Sequence, residues 1–301
     1  MKSKISWMLF FSLAAFVLWT ACEKVDQPFK IVDQKNYPLN PDDTLFFIDS
    51  VIVDVKQVLL EDFTGHRCVN CPKAAKQLHE LMVLHNPRLI SYTVHAGNFA
   101  IPVPGTAFDT DLRSPLSEKL YTDFGIFGNP MGQIDRVKHN GLLQIFTTNW
   151  NAVVDQQLQQ SNRANLKLKN TFYPKYNSVI VDVEAEFLAD LEGQYNLVVY
   201  IVEDKIVSPH LNNDPTIGPD TLWNFVHHNV LRAPINSAYG DPVNPSGDIT
   251  AGTTFAKQYT YPVSDAWVTE NCNIIAYIGK TDPVLNLVDI IQVAELKIKT
   301  E

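Results

Sequence analysis

Apolar positions in residues 51–162 recur at two different spacings. The apolar run Val58–Leu60 predicts a buried strand. Apolar side chains then recur at helical spacing from Ala74 to Leu84, and His85-Asn86-Pro87 ends that helix. The same reasoning predicts a strand over 88–95, a short helix over 114–121, a strand over 132–137 and a helix over 149–160. Strands and helices therefore alternate through this part of the chain.

From Ala164 onward the spacing changes to strict alternation. Val179, Val181 and Val183 alternate with Asp182 and Glu184, as expected of a half-buried strand. Other candidate strands, with no convincing helix between them, cover 165–170, 195–203, 225–232, 254–263, 273–279 and 288–298. About seven short strands of this kind are typical of an immunoglobulin-like β-sandwich. We therefore predict an all-β sandwich domain over residues 163–301.

The N-terminus has the pattern of an export signal. Lys2 and Lys4 precede a mostly apolar run from Ile5 to Leu18, and Ala21-Cys22 follows it. A membrane anchor is the second interpretation, because a spanning helix usually needs about twenty apolar residues. The pattern resembles a bacterial lipoprotein signal, which implies that residues 1–21 are removed and that Cys22 carries the lipid.

Residues 22–50 are rich in Pro, Asp and Asn and show no sustained period. We interpret them as a tether that lifts the body off the membrane, with Thr44 to Ile48 as a first short strand.

Length and charge exclude one class of partner. The chain has 301 residues, enough for two domains, and a net charge of −9. Nucleic-acid binding needs clustered Lys and Arg against the phosphates, and the sequence has no such block. We therefore expect no nucleic-acid partner.

Export also bears on the cysteines, since thiols in an oxidising compartment end as disulfides. Cys68 and Cys71 form a Cys-x-x-Cys pair, and Cys272 lies in an apolar segment where we expect a buried free thiol without a role. In the chain-entropy model a bridge across about four residues stabilises by roughly 2 kcal/mol, against nearly 5 for about a hundred. So short a loop favours a redox role for the cysteine pair over a purely stabilising disulfide.

The Cys-x-x-Cys pair follows the strand and opens the predicted helix. We expect Cys68 at the helix N-terminus as an exposed nucleophile, because backbone N–H groups and the helix dipole favour a thiolate there. Cys71 would then be the resolving thiol. His66 and Arg67 could also favour the thiolate, although a solvated turn explains them equally well.

This strand, turn and Cys-x-x-Cys helix resembles the thioredoxin superfamily. Asp62 lies six residues before Cys68, where thioredoxins carry a buried acid that helps to deprotonate the resolving cysteine. The segment from Phe124 to Pro130 is similar to the one in which a cis-proline faces the disulfide, and an Asn-Pro bond accepts the cis form. The resemblance implies an α/β thioredoxin-like domain over residues 51–162, with Asp62 and Pro130 joining the cysteines in catalysis.

The resemblance has departures that leave the reduction potential and the choice of partner open. Arg67 stands where thioredoxin has Trp, and Val69-Asn70 replace its Gly-Pro dipeptide. We assign Asn129, Arg67 and His66 to substrate binding. The insertion from Gly97 to Pro115 is either a substrate lip above the cysteines or a surface elaboration.

Metal binding is the weaker interpretation of these residues. A zinc site needs two further ligands at supportive spacing, which neither a second Cys-x-x-Cys nor a His-x-x-x-His supplies. His227 and His228 alternate on a strand, so we expect at most one of them to point inward. The loops with Asp214, Asp220, Asp241 and Asp248 offer oxygen ligands for calcium, but their spacing matches no calcium loop.

Taken whole, the chain resembles a family of Bacteroidota outer-membrane lipoproteins named after a 28-kilodalton outer-membrane protein. The segment Val226–Arg232 in the β-rich part belongs to this resemblance. It implies a lipid-anchored protein of the outer membrane, on its periplasmic or cell-surface face.

Two functions remain open. One is thiol-disulfide exchange on envelope or surface proteins that carry disulfides, with no external cofactor besides the Cys68–Cys71 disulfide. The other is a non-catalytic binding or adhesion lipoprotein that contacts a surface partner, in which the disulfide is structural or vestigial.

Overall fold

The computed structural model describes residues 49–245 and 247–298. The predicted signal peptide, Cys22, the tether as far as residue 48 and the first short strand at Thr44–Ile48 lie outside these residues. None of the helices in the described ranges is both long and apolar enough to cross a bilayer.

Strands are the commonest regular structure in the described residues, and helices are few. The helices are α1 Cys71–Leu84, α2 Pro115–Asp123 and α3 Trp150–Leu158. The longer strands are β1 Asp49–Val53, β2 Val58–Thr64, β3 Leu89–His95, β4 Met131–Ile134, β5 Ala164–Tyr173, β6 Ser178–Phe187 and β7 Tyr195–Glu203. They are followed by the two-residue strands β8 Ile206–Val207, β9 His210–Leu211, β10 Thr221–Leu222 and β11 Val226–His227. The chain ends with β12 Val230–Pro234, β13 Asp241–Pro242, β14 Thr254–Pro262, β15 Cys272–Asp282 and β16 Asn286–Lys297.

The larger sheet joins strands from both parts of the chain. Within the described residues it has eight strands, ordered β16-β15-β7-β12-β3-β2-β4, with β13 paired to β7. Strands β2 and β3 are parallel, and β4 lies antiparallel to β2. Strand β12 meets β3 through the pair Val230 and Thr93, and it runs antiparallel to β7. The change of pattern near residue 163 therefore does not separate two independent sheets.

The smaller sheet has the order β1-β5-β6-β14. Its alternating residues Val179, Val181 and Val183 are fully buried, because they face a core shared with β7, β15 and β16. The alternation found in the sequence thus marks the inner face of a sheet packed on another sheet. Strand β1 pairs with β5. Its first two residues, 49 and 50, belong to the segment that the sequence analysis interpreted as a tether.

The helices α1 and α3 cover the part of the larger sheet that contains β2 and β4. Leu78 and Leu81 of α1 and Trp150 and Val154 of α3 pack in one core with Leu60. This packing positions β2, the strand that leads into the cysteine turn.

One predicted strand is divided in the structure. The segment 225–232 forms β11 and β12, separated by His228 and Asn229. Asn229 has φ +45, a left-handed conformation outside the β region, and the regular strand is interrupted there.

Candidate functional site

Cys68 and Cys71 form a disulfide in the turn between β2 and α1, with their Cα atoms 5.4 Å apart. The turn is closed by backbone hydrogen bonds from Cys68 N–H to the Gly65 carbonyl, 2.8 Å, and from Cys71 N–H to the Cys68 carbonyl, 3.0 Å. Helix α1 begins at Cys71, with Asn70 as its N-cap. Cys68 therefore precedes the helix, contrary to the expectation that it lies at the helix N-terminus.

The prediction that Cys68 is exposed is wrong. Cys68 and Cys71 are each only 2% exposed. Two segments distant in sequence, 97–115 and 208–222, contact the turn from outside, and no local pattern in residues 55–76 reports such contacts. Access to the sulfurs therefore depends on these segments.

The 97–115 segment packs directly against the start of the turn. Arg67 N–H donates to the Phe99 carbonyl at 3.0 Å, and the His66 ring stacks on Phe108 with centroids 5.9 Å apart. A Cβ at Gly65 would lie 2.5 Å from the carbonyl carbon of Phe99, so only glycine permits this approach. The predicted insertion is thus a wall beside the cysteines.

The 208–222 segment covers the turn through its backbone and one side chain. Leu211 N–H donates to the His66 carbonyl at 2.9 Å, and Asn213 N–H donates to the Val69 carbonyl at 3.1 Å. The Asn213 amide donates to Oδ1 of Asn70 at 2.7 Å. The side chain of the N-cap residue is therefore engaged by this segment and makes no cap to its own helix.

Asp62 is the buried acid that its position in the sequence predicted. It lies on β2 between Thr93 of β3 and Gly132 of β4, and it is 1% exposed. Its Oδ1 is buried without a hydrogen-bond partner. Burial raises the pKa of the Asp62 carboxyl to about 7. Near neutral pH this group can therefore take up or release a proton.

The Asn129–Pro130 peptide bond is cis, as predicted. Strand β4 begins at the next residue, and Met131 pairs with Phe63 of β2. Pro130 thus lies at the same end of the sheet from which the cysteine turn leaves. The Asn129 amide donates to the Ala96 carbonyl at 3.1 Å, which ties this loop to the end of β3.

A cavity of about 460 Å³ lies beside Cys71. Asp62 and Cys71 line it together with five histidines, three of which, His95, His210 and His227, are buried. The ring centroids of His95 and His227 are 5.1 Å apart, and those of His210 and His227 are 5.6 Å apart. The cavity thus joins the acid, the resolving cysteine and an imidazole cluster.

The three buried histidines of the cavity are neutral at pH 7, because burial lowers their pKa. Desolvation lowers the pKa of His210 to about 4 and holds the pKa of His95 and His227 well below the ordinary value. Burial also raises the pKa of Glu295, on the cavity wall, to about 7. In the described ranges, no group of three or more His, Cys, Asp or Glu side chains could hold a metal ion.

Sequence reasoning identified part of this cluster. His227 is buried and His228 is exposed, which confirms that at most one of the pair points inward. His95 and His210 had no distinguishing pattern, because each is a single histidine at the end of a strand or in a loop. Long-range contacts of the folded chain bring them to the same cavity.

The remaining candidates are either buried or hydrogen-bonded to neighbouring residues. Both ring nitrogens of His66 are buried without a hydrogen-bond partner, and Arg67 donates to the Asn98 carbonyl. Cys272 is a buried free thiol, as predicted, and burial raises its pKa to about 12. In the Asp-rich loops, Asp214 accepts from Thr216, Asp241 pairs with Lys257, and Asp248 accepts from the Gly193 N–H.

Comparison with known proteins identifies similar chains. The family model described as Outer membrane protein Omp28 matches residues 117–301. HBP35 of Porphyromonas gingivalis aligns with 81% of this chain and 76% of its own, at 16% identity and a TM-score of 0.61. A protein from Agrobacterium tumefaciens aligns with 82% of this chain and 97% of its own, at 13% identity and a TM-score of 0.51. These two likenesses concern the fold alone.

A domain of the outer membrane lipoprotein Omp28 from Porphyromonas gingivalis aligns with 45% of this chain and 88% of its own, at 18% identity and a TM-score of 0.29. That likeness is too low to carry an argument. The search of curated proteins gave no significant match.

Proposed function

The chain belongs to the Omp28 family of outer membrane proteins, and we propose that its Cys68–Cys71 pair exchanges disulfides with other proteins of the cell envelope. The family match supports the location. It covers 117–301, which includes Pro130 but neither Cys68 nor Cys71, so the chemistry must be argued from the site. The observation that carries it is Asp62, a buried carboxyl with an unpartnered oxygen in the cavity that Cys71 lines.

The exchange proceeds in two steps from the reduced protein. The Cys68 thiolate attacks a substrate disulfide, forms a mixed disulfide and releases one substrate thiolate. Cys71 then gives its proton to ionised Asp62 and attacks the Cys68 sulfur, which releases the second substrate thiolate and closes the Cys68–Cys71 disulfide. The substrate is reduced by two electrons, and a dithiol protein of the envelope restores the reduced pair.

Asp62 has the properties that the second step requires. A carboxyl with a pKa of about 7 is partly ionised at neutral pH and can accept the Cys71 proton. Pro130 and Asn129 lie at the same end of the sheet and would position an extended substrate, and Arg67 in the turn would contact it. The substrate-binding role assigned to His66 does not fit the structure, because this side chain is only 1% exposed. The role of Pro130 follows the thioredoxin resemblance found in the sequence.

The proposal includes the architecture and the anchor. Strands β2 to β4 with α1 and α3 would form the thioredoxin-like part. Strands β5 to β7 and β14 to β16, which share one core between two packed sheets, would form the immunoglobulin-like part. A lipid on Cys22 would hold both at the outer membrane, since more than one acyl chain anchors a soluble body firmly.

One observation favours the second function, a binding lipoprotein with a structural disulfide. Both cysteines are 2% exposed, so no substrate reaches them in this conformation. A disulfide that stays covered would only clamp the turn on which the 97–115 and 208–222 segments rest.

Cysteine variants of the full-length protein in detergent distinguish these functions. With dithiothreitol as reductant, we expect the protein to accelerate insulin reduction and Cys68→Ser to abolish that acceleration. Cys71→Ser should instead accumulate a mixed disulfide with the substrate, because the resolving thiol is missing. Cys272→Ala is the control, since this thiol is buried away from the turn.

The opposite result is equally clear. If excess dithiothreitol leaves the Cys68–Cys71 disulfide oxidised in the folded protein, or if Cys68→Ser keeps full activity, the binding function is the better account.

A further inference from the structure

We propose that residues 208–222 form an autoinhibitory lid over the Cys68–Cys71 turn, and that the lid must move before the disulfide can react. The inference rests on the proposed exchange function and adds its regulation. The lid contains the short hairpin β9 and β10, in which Leu211 pairs with Thr221.

The lid occupies the backbone groups on either side of Cys68. The His66 carbonyl accepts from Leu211 N–H, and the Val69 carbonyl accepts from Asn213 N–H. The two donors are two residues apart, as on one edge of an extended strand. An extended polypeptide that added to the turn would need the same carbonyl groups. The lid therefore stands where a substrate backbone would pair.

The tip of the lid is organised by its own hydrogen bonds. The buried Asn212 amide donates to the carbonyls of Asp214, 2.9 Å, Gly218, 3.0 Å, and Pro219, 3.1 Å. Asn212 N–H also donates to the Asp220 carbonyl at 2.8 Å. Because these bonds lie within the tip, it can leave the turn as one body without losing its internal structure.

The base of the lid is fixed to the body of the protein. The His210 ring lies 4.7 Å from the ring of Phe225 and 5.6 Å from that of His227, measured between centroids. Ser208 N–H donates to the Phe225 carbonyl, and its hydroxyl contacts Nε2 of His227 at 2.9 Å. Because the base is packed and the tip is polar, we expect the tip to move about hinges near residues 210 and 222.

The second covering segment, 97–115, is a wall and not a lid. Ala100 and Leu112 within it are fully buried, and its backbone rests against Gly65 so closely that a Cβ would clash. The lid tip has no such anchor, since Asn213, Pro215 and Thr216 are exposed. Segments with few buried apolar contacts open most readily. Of the two covers, the lid is the one that opens.

Two variants loosen the lid to different extents. In the first, Gly-Gly replaces residues 212–220, which closes the pair Leu211 and Thr221 with a two-residue turn and removes both Asn213 contacts. In the second, Asn213→Ala removes only the side-chain bond to Asn70. Asn244→Ala is the control, because it also removes an asparagine amide, one that donates to the Gly247 carbonyl within its own loop.

The measurement is the rate at which dithiothreitol reduces the Cys68–Cys71 disulfide in the folded full-length protein, together with alkylation of reduced Cys68 by a bulky maleimide. We expect the shortened lid to speed both by about tenfold or more, and Asn213→Ala by a few-fold, as the loss of weak hydrogen bonds predicts. Asn244→Ala should match the parent chain. If the shortened lid does not fold, judged by circular dichroism, Asn213→Ala alone decides.

Insulin reduction separates this inference from the proposed function. If the loosened lids speed disulfide reduction while no variant reduces insulin, the lid stands and the exchange function fails. If the parent chain reduces insulin as fast as the loosened lids do, the function stands and the lid is refuted. Reduction and alkylation rates within about twofold of the parent in every folded lid variant also refute the lid.

Discussion

At the residue scale, burial alone gives the cavity its chemistry. Asp62 and Glu295 are carboxyls that titrate near neutrality, whereas His95, His210 and His227 stay neutral there. Desolvation is the largest cause of every one of these shifts, since it penalises the charged form of acids and bases alike. Near pH 7 these buried histidines therefore carry no charge, and the two buried carboxyls gain negative charge as the pH rises through about 7.

The raised pKa of Asp62 predicts how stability depends on pH. Because the folded pKa of about 7 lies above the ordinary 3.8, the folded state holds a proton that the unfolded state releases. The free energy of unfolding contributed by this group therefore falls as the pH rises from 3.8 to about 7, by about 4 kcal/mol in all. Asp62→Asn removes this loss. The free energy of unfolding of the variant, measured relative to that of the parent chain, should therefore increase from pH 5 to pH 8.

Urea unfolding of the oxidised proteins at the two pH values measures this difference. Asp54→Asn, at an exposed aspartate, is the control and should show no such trend. Glu295 titrates in the same range but is present in both chains, so the comparison isolates Asp62. An Asp62→Asn difference that is the same at pH 5 and pH 8 would contradict the assignment.

At the element scale, α3 is held against β4 by one close approach. Trp150 is fully buried, and its Nε1–H donates to the Ile145 carbonyl at 3.0 Å. Gly132 of β4 lies under the indole, and it exchanges two backbone hydrogen bonds with Ile145, at 2.9 and 2.7 Å. The strand that follows Pro130 is therefore positioned by a glycine that admits the ring.

Gly132→Ala should destabilise the protein by about 1 to 3 kcal/mol, the usual range for an overpacked core. The added Cβ would lie 2.4 Å from Trp150 Nε1. Neither the buried ring nor the paired strand can shift without losing packing or hydrogen bonds. Gly128→Ala in the preceding loop is the control, because nothing lies within 4 Å of its Cβ. Urea unfolding compares the two, and equal stabilities would show that Trp150 does not constrain β4.

The elements that the sequence predicted are those with a local period. Strands β6, β7 and β14 begin and end within about two residues of their predicted bounds, because side chains that face a sheet core alternate in the sequence. The break between β11 and β12 was missed, since a left-handed Asn229 leaves no trace in the hydrophobic pattern. Strands β8 to β11 have two residues each, too few for any period.

At the scale of the whole molecule, the decisive contacts join residues that are far apart in the sequence. Asp62, the cysteines and the cis bond before Pro130 were predicted from short motifs. The burial of Cys68 was not, because the 208–222 segment that contacts the turn lies far from it in the sequence. Long-range pairing of this kind is a property of the folded chain and has no local period.

A buried ion pair at the centre of the larger sheet connects its two ends. Arg136 binds Glu61 of β2 with both Nε and Nη2 at 2.8 Å, and its Nη2 also donates to the Tyr277 hydroxyl of β15 at 3.0 Å. The Tyr92 hydroxyl of β3 donates to the same carboxylate. The guanidinium carbon lies 4.5 Å from the centre of the Phe124 ring, a distance suited to a cation–π contact. One charge pair thus links the strand that bears Asp62 to β15.

Arg136→Met should therefore destabilise the whole molecule, by about 3 to 5 kcal/mol, because it leaves the Glu61 carboxylate buried without its counter-charge. The double variant Arg136→Met with Glu61→Gln should recover part of this loss, since no net charge then remains uncompensated. Lys167→Met is the control: it breaks the pair with Glu184, whose side chains are 43% and 55% exposed, and should change stability by less than about 1 kcal/mol. Urea unfolding with two probes, tyrosine fluorescence and circular dichroism, should give one coincident transition for each variant if the pair joins both ends of the sheet into one cooperative unit. If Arg136→Met lowers the free energy of unfolding only slightly, or if the parent chain shows two separated transitions, the two ends of the sheet unfold independently.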